Sequence, residues 1–208
     1  MTENKIENII FDLGGVLLDW NPEYLYTKII EDDQEKMDWF LQNICTTEWN
    51  IEQDAGRSFK EGTDLLLDQY PQYESWIRAF YVRWNEMLKG EIKDTVLTLN
   101  KLSELNELKL YALTNWSVET FPIAEARFPF LKLFEGIVVS GMENTIKPFP
   151  QIYQILLNRY QLDAEKCLFI DDNKENVEAA THIGMAAIHF KNPYQLNEEL
   201  LQMGILKH

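Results

Sequence analysis

The chain has 208 residues, 46% of them hydrophobic, enough for one large domain or for a core domain with a smaller one attached. Nineteen Lys and Arg against 34 Asp and Glu give a net charge of -15, opposite in sign to what a phosphate backbone attracts, which excludes nucleic acid as a partner. An anionic ligand must then be held locally, by a metal ion or a few cations.

No apolar run approaches the ~20 residues that cross a bilayer, so no membrane association is expected. The start MTENKIEN is polar, without the features of a signal peptide, and Cys45 and Cys167 stand far apart. Together these predict a cytoplasmic protein, monomer or homodimer, with both thiols reduced.

In chain order, the first apolar run, Ile9 to Leu13, predicts a buried strand; it drives Asp12 to its end and is followed at once by Gly14 and Gly15. From about Pro22 to Leu88 no strand is expected. Helical stretches run instead from Tyr24 to Ile30, Gln34 to Ile44, Ser58 to Gln69 and Tyr73 to Met87. Their aromatics, including Trp39, Trp49, Trp76, Phe80, Tyr81 and Trp84, are expected to form the core of a helical insertion hanging over the sheet edge as a lid. Asn21-Pro22 and Lys89-Gly90 are plausible hinges. Four more strands follow, Leu110 to Leu113, Ile137 to Ser140, Leu168 to Asp171 and Ala186 to Phe190, separated by helical stretches at Ser117 to Arg127, Pro150 to Tyr160 and Asn173 to Ile183. The strands are near-continuously hydrophobic, the pattern of parallel strands buried on both faces. The fold class is therefore α/β, a doubly wound parallel sheet of five or more strands with a Rossmann-like core at 1–20 and 90–208 and the helical insertion at 21–89. Ligands belong at the carboxyl ends of the strands.

The polar residues at those ends form a short list. The first strand delivers Asp12, the second Thr114 and Asn115, and the fourth Asp171 and Asp172, while Lys147 stands before Pro148 where a helix begins. Taken singly, each has an ordinary explanation: a strand-to-turn signal, a helix cap, a solvated lysine before a first-turn proline. Taken together, three carboxylates, a hydroxyl and a lysine share one site. Adjacent buried carboxylates repel unless one is protonated or a cation sits among them. With oxygen ligands alone and no His or Cys nearby, a hard ion such as Mg2+ is favoured. Phosphoryl transfer is the natural chemistry, since it demands mainly positioning and charge neutralisation, with Asp12 as metal ligand, nucleophile or both.

The order FDLGGVL, LTNWS, KPFPQIY and FIDDNKENVEAA resembles the motifs of the haloacid dehalogenase superfamily, in the subgroup with a helical cap after the first motif. DWNPEYLY, EWNIEQDAGRSF and LYALTNWSVETFP look closer still to its dehalogenase-like phosphatases. The resemblance implies Asp12 as the nucleophile that forms an aspartyl-phosphate and also ligates Mg2+, and Gly14 as a backbone-carbonyl ligand. It implies Thr114 and the Asn115 backbone on phosphoryl oxygens, and Lys147 between nucleophile and phosphate. Asp172 would be a direct metal ligand, with Asp171 a second ligand or outer support. Gln53, Asp54, Gly56 and Arg57 fall in the cap's specificity turn, where Arg57 would contact an anionic substrate. Two positions depart from the family: Gly14 stands where phosphatases carry an Asp as general acid and base, and Asn176 where many members have a further Asp. Asp19 is a conceivable substitute acid. The expected activity is Mg2+-dependent hydrolysis of a small phosphorylated metabolite, such as a sugar phosphate. The alternatives are a 2-haloacid dehalogenase with Asp12 as carbon nucleophile and a phosphate-binding protein with little turnover. A dehalogenase needs no metal site, whereas Asp171-Asp172 are both present, which favours the phosphatase.

Overall fold

A computed structural model describes residues 5–31 and 33–207. In chain order the strands are β1 (Asn8–Phe11), β2 (Leu18–Trp20), β3 (Leu88–Glu91), β4 (Lys109–Thr114), β5 (Gly136–Val139), β6 (Cys167–Asp171) and β7 (Ala186–His189). The helices are α1 (Glu23–Ile29), α2 (Gln34–Asn43), α3 (Thr47–Asp54), α4 (Phe59–Gln69), α5 (Glu74–Val82), α6 (Lys93–Ser103), α7 (Phe121–Arg127), α8 (Ser140–Glu143), α9 (Pro150–Tyr160), α10 (Lys174–His182) and α11 (Pro193–Gln202).

Five strands make one parallel sheet in the order β5-β4-β1-β6-β7. They are the five apolar runs of the sequence, and the doubly wound α/β class follows from them. Side chains alternate across the pleat. Ile9 and Phe11 pack with Leu110, Ala112, Leu168 and Ile170 on one face, whereas Ile10 packs with Tyr111, Leu113 and Phe169 on the other. The second face is covered by α9 and α10 through Ile152, Tyr153, Leu156 and Ala180. The first is covered by α6, α7 and α11, and its core runs on into the helical insertion through Tyr26, Phe40, Phe80 and Trp84. Because β1 lies between β4 and β6, the sheet grows to one side of it and then to the other, which places the crevice at the carboxyl ends of these three strands.

The helices α1 to α5 leave and return through a ribbon that the apolar pattern does not show. β2 and β3 pair antiparallel, Leu18 with Glu91 and Asp19 with Gly90. Strands of three and four residues joined across the whole insertion carry no readable alternation. The expected hinges lie at this ribbon: Lys89-Gly90 is inside β3, and Asn21 N–H donates to the Met87 carbonyl at 2.9 Å. The stretch expected as one helix from Tyr73 to Met87 ends at Val82, followed by a 3-10 turn at Trp84–Glu86. Helix α3 is not apparent from periodicity because Gln53 is its one buried residue; Thr46 caps it by accepting from Trp49 N–H at 3.1 Å. Helix α7 starts at Phe121, since Ser117 to Thr120 form a turn around the Ser117 hydroxyl. The aromatics pack as expected, with Tyr26 and Phe40 centroids 5.0 Å apart, although Trp39 is 45% exposed. Cys45 and Cys167 are buried and unpaired. No described helix is long and apolar enough to cross a membrane.

Candidate active site

Asp12 follows the last residue of β1. Its N–H still donates to the Ile170 carbonyl at 2.8 Å, so the ladder fixes its backbone while its carboxylate stands beyond the strand. Asp12 is 8% exposed, and its Oδ1 accepts from Leu13 N–H at 2.7 Å. Gly15 takes φ +72, and a Cβ there would collide with the Asp172 carboxylate. The loop from β1 and the loop from β6 therefore touch, which needs glycine at that position. Gly14 is different: a Cβ built on it meets nothing within 4 Å.

Lys147 reaches into this crevice, only 1% exposed. Its Nζ lies 2.8 Å from Asp12 Oδ1 and 2.7 Å from Asp171 Oδ2, and 5.6 Å from the centre of the Phe169 ring. The residue sits on the loop ahead of α9, which begins at Pro150 and not at Pro148. Asn115 holds that loop: Lys147 N–H donates to Asn115 Oδ1 at 2.8 Å, and Asn115 Nδ2 donates to the Lys147 carbonyl at 3.0 Å. Its side chain thus positions the lysine, a partnership sequence spacing does not reveal. Thr114 closes β4 beside it, almost fully buried.

Asp171 is wholly buried and surrounded by donors. Besides Lys147 it accepts from Asn173 N–H at 2.8 Å and from Asn176 Nδ2 at 3.0 and 3.1 Å. Asn176, expected to hold a loop, does so by bridging both oxygens of Asp171, while its own carbonyl accepts from Tyr153 OH at 2.9 Å. Asp172 is exposed. The expectation that no histidine is nearby fails: His189, opposite Asp171 in the β6–β7 register, has Nε2 3.0 Å from the Asp172 carbonyl.

Asp12, Asp171 and Asp172 each offer an oxygen, all within 4.8 Å of one another. Burial pushes Asp12 up to about 7; Lys147 opposes this, and the Asp171 and Asp172 charges add to it. Asp172 is raised as well, by partial desolvation and then by Asp171. Burial alone lowers the Lys147 ammonium, but Asp12 and Asp171 outweigh it and hold the lysine above its ordinary value. Three carboxylates against one ammonium leave negative charge uncompensated. An all-oxygen set of this kind fits a hard divalent cation.

On the side of the helical insertion, a cavity of about 90 Å³ adjoins Gly14. Its walls are largely aromatic, with Trp20, Phe59, Tyr81, Trp84 and Trp116, together with Asp54, Asn50, Asn115, Ser117 and Thr120. No lysine, arginine or histidine is among them. Trp20 has its indole N–H buried with no partner among the described residues. Arg57, expected to face a substrate, does not line this cavity: its guanidinium donates to the Trp49 carbonyl at 2.9 Å and to Gln53 Oε1, within its own layer. Asp19 is also elsewhere, accepting from Tyr24 OH at 2.8 Å.

The insertion is tied to the sheet by Ser140 at the end of β5. Its Oγ donates to the Asp54 carbonyl at 2.5 Å and accepts from Trp116 N–H at 2.9 Å. Gly56, at φ +108, brings the turn after α3 so close that a Cβ would strike Asn144 Oδ1. Phe59 N–H adds a bond to Glu119 Oε1 at 2.7 Å. Ser140→Ala strands the buried Trp116 N–H, and a loss of about 1–3 kcal/mol in urea unfolding is expected.

A family model for haloacid dehalogenase-like hydrolases matches residues 6–184. The chain belongs to this family. A sesquiterpene phosphatase from Aspergillus oryzae is 30% identical, the match covering 93% of this chain and 94% of that protein. Among solved structures of the haloacid dehalogenase family, an enzyme from Bacteroides thetaiotaomicron in complex with magnesium and inorganic phosphate superposes with a TM-score of 0.66 at 22% identity, covering 90% of this chain and 95% of that one. An L-2-haloacid dehalogenase from Xanthobacter autotrophicus with chloropropionic acid covalently bound also gives 0.66, at 17% identity and covering 97% and 85%. Backbone likeness does not separate the two chemistries, so the side chains must.

Proposed function

We propose that this hydrolase is a Mg2+-dependent phosphatase that acts on a small phosphate monoester through an aspartyl-phosphate on Asp12. The observation that carries the reading is the cluster at the sheet edge: Lys147 ion-paired to Asp12 and Asp171, with Asp172 alongside. Displacing halide from carbon requires no such surplus of carboxylates. The phosphatase relative agrees in kind.

In this reading residues 1–20 and 90–208 are the catalytic core and 21–89 the cap. Asp12, the Gly14 carbonyl and Asp172 would hold Mg2+, which would supply charge neutralisation at the phosphoryl oxygens. Asp12 attacks phosphorus with one carboxylate oxygen. Thr114 Oγ1 and the Asn115 backbone hold phosphoryl oxygens, and Lys147 offsets charge between nucleophile and phosphate. Asp171, already saturated with donors, orients Lys147. The aromatic walls and the lack of a cation point to an uncharged, largely apolar alcohol portion, with the Trp20 N–H free for one oxygen of it. Arg57 is given no substrate contact in this reading, because its guanidinium is spent on the Trp49 carbonyl and Gln53.

The test is a phosphate-release screen over phosphorylated compounds, with Mg2+ and with EDTA. Release that requires Mg2+ supports the proposal; turnover of L-2-haloacids that persists in EDTA sinks it. Binding of Mg2+ alone should also show: at a hundredfold excess over Kd it adds about 2.7 kcal/mol to the unfolding free energy. Thermal-shift titration should find most of that stabilisation gone in Asp172→Asn.

A further inference from the structure

We propose that Asp54, from the helical layer, is the proton donor and acceptor for the phosphoryl transfer, standing in for the acid that Gly14 does not provide. The inference rests on the phosphatase reading of Asp12.

Asp54 and Gly14 line the same cavity, one from above and one from the sheet edge. The space over Gly14 is open, so no other side chain of the described residues fills it. Asp54 ends α3, and its main chain is fixed by the Ser140 hydroxyl and by the tight Gly56 turn, so the carboxyl group is placed by the core as much as by its own helix. It has no cation to neutralise it within the cavity wall. Its neighbours are Asn50 Nδ2 at 3.3 Å, the Ser117 backbone N–H and Tyr81, and it is close enough to the Asp12 carboxylate to feel that charge. Asp54 is partly buried, and its carboxylate is met by neutral donors with no ion pair to an arginine or lysine among the described residues. Burial pushes Asp54 up to about 7, the Ser117 N–H opposing and Asp12 adding to the rise, so the group can both give and take a proton near neutral pH. The other candidates fail on geometry: Asp19 is bonded to Tyr24, and Tyr81 is engaged by Gln53 Nε2 at 2.6 Å and held far above the ordinary phenol range by burial.

The steps balance. As Asp12 bonds to phosphorus, the bond from phosphorus to the ester oxygen breaks with its electron pair, and that oxygen takes the Asp54 proton and leaves as an alcohol. Water then attacks the aspartyl-phosphate, gives its proton to the Asp54 carboxylate, and releases Asp12 and inorganic phosphate.

Asp54→Asn is to be compared with wild type on a p-nitrophenyl phosphate, whose leaving group needs no proton, and on an apolar alkyl phosphate, whose leaving group does. The expected result is a fall in kcat/KM of about 10²- to 10⁴-fold on the alkyl ester and less than about tenfold on the aryl ester. A burst of p-nitrophenol should precede slow turnover in the variant, because hydrolysis of the phosphoenzyme loses its base. Asp54→Glu, which keeps the acid, should retain much of the alkyl activity. Adding Gly14→Asp to Asp54→Asn should restore at least about tenfold on the alkyl ester, since that position has room for the carboxyl group. Equal losses on both esters with no burst, and no recovery in the double variant, overturn the role of Asp54 while leaving the Asp12 reading intact. Wild-type protein that releases phosphate from neither ester overturns that reading and this inference with it.

Discussion

Asp12→Asn is expected to lose phosphate release altogether, a drop of at least about 10⁴-fold in kcat, of the size seen when a covalent nucleophile is removed. The amide keeps the shape of the side chain and the position beyond β1, but it offers no anionic oxygen to phosphorus. Fold stability should not fall with activity. Asp12 carries its charge at a cost, as its raised pKa shows, and beside Asp171 it competes for one ammonium. The variant relieves that repulsion, so its urea midpoint is expected at or above the wild-type value in the absence of Mg2+. Loss of activity together with loss of structure would point instead to a scaffold role for Asp12.

Lys147→Met should fail in both respects. The ammonium is buried and makes charge-assisted bonds of 2.8 and 2.7 Å to two carboxylates, so removing it leaves two buried acids with no counter-ion. Breaking a buried pair in this way costs about 3–5 kcal/mol. A fall of about 10³-fold in kcat/KM is expected as well, the scale associated with removing one group that stabilises transition-state charge. The pH dependence has a definite sign. A carboxylate whose folded pKa is raised above its unfolded value binds more protons when folded, so it erodes stability as pH rises from near 4 through the folded value. With Lys147 gone this erosion deepens, and the deficit of the variant should be largest at pH 8 and shrink toward pH 5, where protonation of Asp12 removes the repulsion. Urea unfolding at several pH values measures it; a deficit independent of pH would mean that Lys147 contributes packing against Phe169 and little else.

The sheet is readable because buried parallel strands carry unbroken apolar runs, and the three central ones lead to residues that matter: Asp12, Thr114, Asp171. Lys147 is readable from its place before Pro148 at the approach to a helix and from motif order, but its place on a loop says nothing of its reach. What the pattern hides are relations between distant segments. The β2–β3 ribbon is too short to alternate, and α3 buries too little to show a stripe. The Asn115 amide looks like a helix cap or a phosphate contact until the Lys147 loop is seen folded onto it. Arg57 lies four residues after Gln53, just past the end of α3, and that spacing already allowed its guanidinium to fold back onto the helix, an ordinary alternative to substrate contact. Asp54 falls in the cap turn with no feature to single it out; the docking of that turn on Ser140 brings it to the cavity that Gly14 also lines.

The central claim is a phosphoryl group carried on Asp12 during turnover. Rapid quenching of the protein with an aryl phosphate, followed by mass spectrometry of the peptide that contains Asp12, measures it directly. The expected result is a phosphate-mass adduct on Asp12 that forms with Mg2+ and is absent in EDTA and in Asp12→Asn. A carbon ester on Asp12 formed from an L-2-haloacid in EDTA, with no phosphoryl adduct from any phosphate ester, would contradict it.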